Sequence, residues 1–281
     1  MTNWMKPGNN AVITGGASGI GLAAASRYVA AGMNVLIADA NEEKLDAAAA
    51  ALASDGPGSV HTRVCDVAEF EQIVALRDAA ARELGDVHCL MSNAGAAFPP
   101  AEPWENLDTW RRQVEVNLWG IVNACQAFVP AMLDAGGPAA VINTGSKQGI
   151  TNPPGNYAYN LSKAGVKSYT ESLAHALRQI DGCQVSAHLL IPGFTYTGMI
   201  ARFVPEKPAG AWSAEEVVDF MVSSLERGDF YILCPDNDTP RELDEKRIQW
   251  NTDDILKNRS ALSRWDPAYH EAFTRFVEDA Q

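Results

Sequence analysis

Short β-branched runs alternate along the chain with longer Ala- and Leu-rich stretches. The runs Ala11–Thr14, Asn34–Asp39, Val60–Val67, His88–Ser92, Ala139–Thr144, Gln184–Ile191 and Phe230–Cys234 read as strands. Helical stretches fall between them at about 19–31, 41–53, 69–84, 108–134, 157–180 and 213–227. The alanine run at 47–51 has the highest intrinsic helix propensity. Ile73, Leu76, Ala80 and Leu84 recur at helical spacing and form one buried stripe. Gly32 stands where the first helix should stop, and Asp108 and Ser213 stand where helices should be capped. Val35-Leu36-Ile37-Ala38 is apolar without alternation, as a strand covered on both faces would be. Strand–helix alternation on this scale predicts an α/β fold with a parallel sheet and helices on both sides. Pro- and Gly-rich loops punctuate it, and no internal repeat is found.

After Cys234 the pattern changes. Residues 236–281 hold no strand pattern, only helical stretches at about 241–257 and 267–279 punctuated by Trp250, Trp265 and Phe273. This tail is too small for a domain. It is expected to pack on the sheet core, on a neighbouring subunit or at the mouth of the site.

Composition narrows the function. The 281 residues are 47% hydrophobic and 20% charged, which suits a sizeable core and argues against disorder. Lys plus Arg is 22 against 35 Asp plus Glu, a formal charge of -13. That balance disfavours nucleic acid as a partner, since such affinity rests on cation–phosphate contacts. No uninterrupted run of eighteen apolar residues suggests a membrane span, and the first residues lack a signal-peptide layout. Five scattered cysteines (Cys65, Cys89, Cys125, Cys183, Cys234) have no metal-ligand spacing. They read as reduced core residues in a cytoplasmic protein without a metal site.

Chemistry first shows after the first strand, in Thr14-Gly15-Gly16-Ala17-Ser18-Gly19-Ile20-Gly21. Gly15, Ser18, Gly19, Ile20 and Gly21 could bring backbone N–H groups and a helix N-terminus against a pyrophosphate; a plain glycine turn is the alternative. Asp39 ends the next strand 18 residues after Gly21, close to the ~20-residue offset of a ribose-binding acid. Its carboxylate would bind two ribose hydroxyls and repel a 2′-phosphate by about 4 kcal/mol per charge pair at ~4 Å. NAD is therefore expected over NADP, unless Asp39 merely caps the next helix. Asp66 and Val67, and Asn93, Ala94 and Gly95, end two further strands and could meet the adenine and the cofactor backbone, or form ordinary turns.

Of seven tyrosines, only Tyr159 has a lysine four residues on, Lys163, which puts both on one helix face. Ser146 precedes Tyr159 by 13 residues, at the end of the fifth strand. Removing the hydroxyl proton of a secondary alcohol needs a base, and a free phenol is protonated at pH 7. A cation at ~4 Å offers about 4 kcal/mol, roughly three pKa units, toward the phenolate. Ser146 would hydrogen-bond the substrate oxygen beside Tyr159, or serve only as a turn residue.

The order Thr14–Gly21, Asp39, Asn93–Gly95, Asn117, Ser146, Tyr159, Lys163 and Pro192-Gly193 resembles the classical short-chain dehydrogenase/reductase family over about residues 9–234. The resemblance implies a three-layer, doubly wound Rossmann-like sheet of about seven strands and NAD(P)-dependent alcohol oxidation or carbonyl reduction. Tyr159 would be the acid/base, Ser146 the substrate positioner, Lys163 a ribose ligand and pKa modulator, and Asn117 the anchor of a relay water. Pro192, Gly193, Thr195 and Thr197 would meet the nicotinamide amide and pyrophosphate. Residues 1–235 then form one cofactor-binding, catalytic domain and 236–281 a helical extension. Lys147 and Gln148 follow Ser146 where the family has small residues, and Lys147 reads as solvated or as facing substrate.

The loops at 98–104 (Phe98, Pro99, Pro100, Trp104), 149–157 (Tyr157) and 199–212 are apolar and aromatic. They point to a hydrophobic, cyclic or aromatic, secondary alcohol or ketone. The family resemblance implies a homodimer or homotetramer through the helices at 108–134 and 157–180. A silent NAD-binding regulator and a non-redox dehydratase or epimerase are the competing readings.

Overall fold

The computed structural model describes residues 3–202 and 204–278. Position 203 of the 199–212 loop and position 279 of the second tail helix lie outside the described residues. Seven strands run β1 (Asn10–Thr14), β2 (Asn34–Asp39), β3 (Val60–Val64), β4 (Cys89–Ser92), β5 (Ala139–Thr144), β6 (Val185–Ile191) and β7 (Tyr231–Leu233). The helices are α1 (Gly19–Ala30), α2 (Glu42–Leu52), α3 (Phe70–Glu83), α4 (Leu107–Val114), α5 (Gly120–Ala135), α6 (Gln148–Thr151), α7 (Tyr157–Arg178), α8 (Gly198–Ala201), α9 (Ala214–Arg227), α10 (Arg241–Leu256) and α11 (His270–Glu278).

All strand pairs are parallel, in the order β3-β2-β1-β4-β5-β6-β7. Alternate residues of each strand face opposite layers. On one side Ile13, Ile37, Met91 and Ile142 pack against Tyr28 and Val29 of α1, Leu52 of α2 and Met221 of α9. On the other, Val12, Leu36, Leu90 and Val141 pack against Leu76 of α3, Phe128 of α5 and Val166 of α7. Burying each such side chain contributes about 1.5–3 kcal/mol. The chain leaves β1 toward one edge and returns at β4 toward the other. This reversal opens a crevice at the carboxyl ends of β1 and β4, where such sheets bind ligands.

Three expectations change in detail. The third strand stops at Val64: the Cys65 N–H makes one last bond to the carbonyl of Asp39, where β2 ends. The helix at 108–134 is not uniform: a π turn, Glu115–Trp119, separates α4 from α5. Its N-cap is Asn106, in left-handed backbone at φ 53, and Asp108 sits in the first turn with an exposed carboxylate. Ser213 does cap α9, in a reciprocal capping box with Glu216. The run Leu107–Ala135 is long and apolar enough to cross a membrane, at a mean hydropathy of 1.3, but half of its apolar window is buried inside the fold.

The tail folds back on the same chain. Trp250 of α10 is buried against Phe273 and Phe276 of α11, each with ring centroids 5.3 Å away, and the Arg259 guanidinium lies 3.8 Å above its ring. Asn251 reaches across to α6, its side-chain amide donating to the Ile150 carbonyl at 3.1 Å.

Candidate active site

The crevice is a cleft of about 720 Å³. Its floor begins in the turn after β1. Gly15 holds φ +65, and a Cβ there would stand 2.7 Å from the Ala94 Cα, so only glycine lets the two strand-end loops close together. Helix α1 starts at Gly19, so its unpaired N–H groups and positive end face the cleft. Opposite stands Thr197, whose Cβ and Cγ2 lie 3.2 and 3.1 Å from where a Gly19 Cβ would sit. Gly15, Ser18, Gly19, Ile20, Thr195 and Thr197 all line this slot, as do Pro192 and Gly193.

Asp39 lines the outer end. Its carboxylate accepts from the Asn41 N–H at 3.1 Å and the Ala17 N–H at 3.4 Å, tying the glycine turn to the end of β2. It does not cap α2, because Asn41 does so by accepting from the Lys44 N–H. Lys44 and Asn41 line this end as well, and the spacing argument had not found them.

Four residues named for the cofactor lie behind the lining. Asp66 binds the Arg112 guanidinium at 2.6 Å and the Ala68 N–H at 3.0 Å; burial opposes its charge, but Arg112 holds its carboxyl below the usual range. Val67 packs in the core beneath Gly120. Gly21 lets α1 approach the Gly15 carbonyl, and Ala94 donates its N–H to Thr14 Oγ1 at 3.3 Å.

The inner end gathers the reactive side chains. Ser146 stands just past β5, and α7 opens with Tyr157, so Tyr159 and Lys163 fall in its first two turns, facing Ser146. The Tyr159 hydroxyl lies beside the Ser146 side chain, and both line the cleft. Burial pushes this phenol above its ordinary value, and the neighbouring Ser146 hydroxyl pulls it partly back. Lys163 is 4% exposed, and burial pushes its ammonium down to about 8. The amine donates to the Thr144 carbonyl at 2.8 Å and lies 5.8 Å from the Tyr159 ring centroid.

A hydrogen-bonded chain joins the two ends. The Asn93 side-chain amide donates to the Gly15 carbonyl at 3.2 Å, and Thr144 Oγ1 donates to Asn93 Oδ1 at 3.2 Å. The Thr144 carbonyl holds Lys163. Asn117 is fully buried in the π turn behind the wall. Its Oδ1 accepts from the Ala96 N–H at 2.8 Å and its amide donates to the Ala96 carbonyl at 3.0 Å, fixing the strip beside Gly95. Gly95 in turn lies 3.8 Å (from its would-be Cβ) from the Lys163 amine. π turns recur where a helix serves a site, and the smooth propensity of 108–134 gave no sign of this one.

Sequence and comparison converge at this point. A model of the short-chain dehydrogenase family matches residues 9–208.

The chain belongs to the short-chain dehydrogenase family.

It is 34% identical to the 1-deoxy-11-beta-hydroxypentalenate dehydrogenase of Streptomyces exfoliatus over 245 residues, 85% of this chain and 88% of that protein. It is 36% identical to the cis-4-hydroxycyclohexanecarboxylate dehydrogenase of Sinomonas cyclohexanicum over 193 residues, 68% of this chain and 75% of that one. A short-chain dehydrogenase/reductase from Burkholderia phymatum, solved in complex with NAD, superposes with a TM-score of 0.82 at 30% identity, covering 92% of this chain and 97% of the other. As a short-chain dehydrogenase, the protein is an oxidoreductase of alcohol and carbonyl groups. The glycine slot, the N-terminus of α1 and the inner Lys163 fit a nicotinamide dinucleotide laid along the cleft.

The substrate wall matches the expected loops in part. Phe98, Pro99, Pro100 and Tyr157 gather with Trp110 in a separate small pocket, and Trp104 is 81% exposed. Met199 and Ile200 of the 199–212 loop do line the main cleft, and Ala96, Ala97 and Phe194 complete its apolar lining. Lys147 is neither solvated nor free: its amine meets Asp236 at 3.1 Å and Asp244 at 2.6 Å, with its side chain 15% exposed.

Proposed function

We propose that the protein is an NAD-dependent oxidoreductase that interconverts a hydrophobic secondary alcohol, preferably cyclic, and its ketone, with Tyr159 as general acid/base. The observation that carries this reading is the Tyr159 hydroxyl beside Ser146 inside the cleft, with the Lys163 ammonium 5.8 Å from the centre of its ring. Ser146 holds the substrate oxygen within reach of the phenol, which gains or loses the proton at that oxygen. Lys163, protonated below about 8, favours the phenolate form of Tyr159 and offers donors to ribose hydroxyls. Bound NAD would supply the hydride acceptor and a positive ring near the phenol. Ala96, Ala97, Met199 and Ile200 offer an apolar surface to the carbon skeleton of the substrate.

Asp39 supports NAD over NADP, since its carboxylate occupies the outer end where a 2′-phosphate would fall. Lys44 beside it is the cation left to meet such a phosphate once Asp39 is removed. Asp39→Ala should therefore narrow the NAD/NADP preference by at least about tenfold, read as the ratio of the two kcat/KM values. The relatives named for hydroxypentalenate and hydroxycyclohexanecarboxylate support a cyclic carbon skeleton. We further propose assembly as a homodimer or homotetramer through α4, the π turn, α5 and α7, where Leu107, Trp119 and Leu161 are exposed. The five unpaired cysteines support a cytoplasmic location.

The test is NAD reduction against cyclohexanol, cis-4-hydroxycyclohexanecarboxylate, aromatic secondary alcohols and small polyols, with Tyr159→Phe as control. Turnover of the cyclic alcohols that depends on Tyr159 is expected. Activity confined to polyols overturns the substrate class, and NADH binding without any turnover points to a silent regulator.

A further inference from the structure

The buried ion cluster at Lys147 belongs to none of the roles above, yet it touches both walls of the inner cleft. Lys147 follows Ser146 directly, and its amine is enclosed by two carboxylates of the tail, Asp236 and Asp244. Asp236 does more than pair with it. The same Oδ2 that meets the Lys147 amine at 3.1 Å accepts the Phe194 N–H at 3.1 Å, in the segment proposed to face the nicotinamide. A Cβ on Gly193 would stand 2.5 Å from Asp236 Oδ2 and 2.8 Å from the Lys147 amine, so the ion pair fills the space of the missing side chain. The Asn251 bond to Ile150 grips the same turn a second time, from α10.

We propose that Asp236, and more weakly Asp244, are positioning residues that act through Lys147 and Phe194 to set Ser146 and the Pro192–Phe194 segment at one spacing. The helical extension is then the clamp that holds the two walls of the reacting end together. Buried charges of this kind add little stability, because desolvation offsets their attraction, but they fix geometry. Burial opposes the charge of Asp236, yet the Phe194 N–H and Lys147 outweigh it and keep the carboxyl below its ordinary value. Burial raises Asp244 despite Lys147. The two aspartates are therefore unequal, and their variants should differ.

This inference rests on the assignment of Ser146 to the substrate. Its test joins kinetics on the best alcohol of the panel to hydrogen exchange of the full-length protein. Asp236→Asn should lower kcat by about 10- to 100-fold while KM for NAD changes less than about threefold, because a misplacement near 1 Å suffices for such a loss. Asp244→Asn should cost less than about fivefold, since Asp244 meets Lys147 while the Phe194 N–H is held by Asp236. Exchange should quicken in peptides spanning 145–150 and 193–196 and stay slow in α10. Lys147→Met removes the same clasp from the other side and serves if the aspartate variant does not accumulate. Combined with Asp236→Asn, it should lose no more than either change alone.

Unchanged kcat in the Asp236 and Lys147 variants, or faster exchange in α10 with none at 145–150 and 193–196, overturns the proposal and leaves the tail as simple packing. If Tyr159→Phe keeps full turnover, or no alcohol is oxidised, it is the reading of the site that fails. The exchange pattern then still decides whether the clasp exists.

Discussion

The two ends of the cleft are built on different principles. The outer end, from β1 to β4, is mostly backbone: a glycine turn pressed on Ala94, the N-terminus of α1, and a carboxylate that binds main-chain N–H groups. The inner end, from β5 to the tail, is mostly buried polar side chains: Tyr159 beside Ser146, Lys163 on the Thr144 carbonyl, Lys147 between Asp236 and Asp244. A backbone cradle binds a ligand at little cost in stability. Groups that must move a proton have to be buried and held away from their ordinary pKa values, which destabilises the fold.

That contrast predicts effects of graded size. The largest belongs to Tyr159→Phe, which should lower kcat by about 10²- to 10⁴-fold while NADH titration by fluorescence stays within about twofold of the parent. An equal loss of NADH affinity would erase the distinction between the two ends. Lys163→Met should lower kcat by about 10²-fold, because the ammonium that favours the phenolate and offers donors to the ribose is lost. It should also stabilise the fold. Lys163 titrates at about 8 in the folded chain against about 10.4 unfolded, so its burial costs stability below 8. As pH rises from about 8 to 10.4 the unfolded state holds more protons, and that cost is relieved. After the lost bond to Thr144, denaturant melts of Lys163→Met at pH 7 should show a gain on the order of 2 kcal/mol that shrinks toward pH 10.

Gly15→Ala should act in the opposite sense. With φ +65 and the Ala94 backbone 2.7 Å away, it should weaken NADH about tenfold and destabilise by about 1–3 kcal/mol, while saturated kcat falls less than about threefold. Ser213→Ala, remote from both ends, sets the floor. Losing the capping box of α9 should cost about 1 kcal/mol and leave kinetics unchanged.

The same contrast explains what the sequence disclosed. Asp39, the glycine turn and the Tyr159–Lys163 pair were legible because each is local: a strand end, a turn or one helix face. The order of elements followed from periodicity alone. Lys147 was not legible, because its partner lies 89 residues away in sequence and only folding brings them together. The aromatic loop at 98–104 misled for a related reason. Composition gives the character of a loop but not its direction, and Phe98 and Tyr157 turned to a neighbouring pocket. The π turn at Asn117 left no mark, since its residues suit an α-helix equally well.

The bonded chain from Gly15 through Asn93 and Thr144 to Lys163, extended by the Asp236 clasp, draws on segments from the first strand to beyond the last. No partly folded chain can assemble it. In a refolding experiment, catalytic competence should therefore emerge last, after helical signal and compactness have recovered, so that enzyme activity doubles as a gauge of whether the final segment has docked.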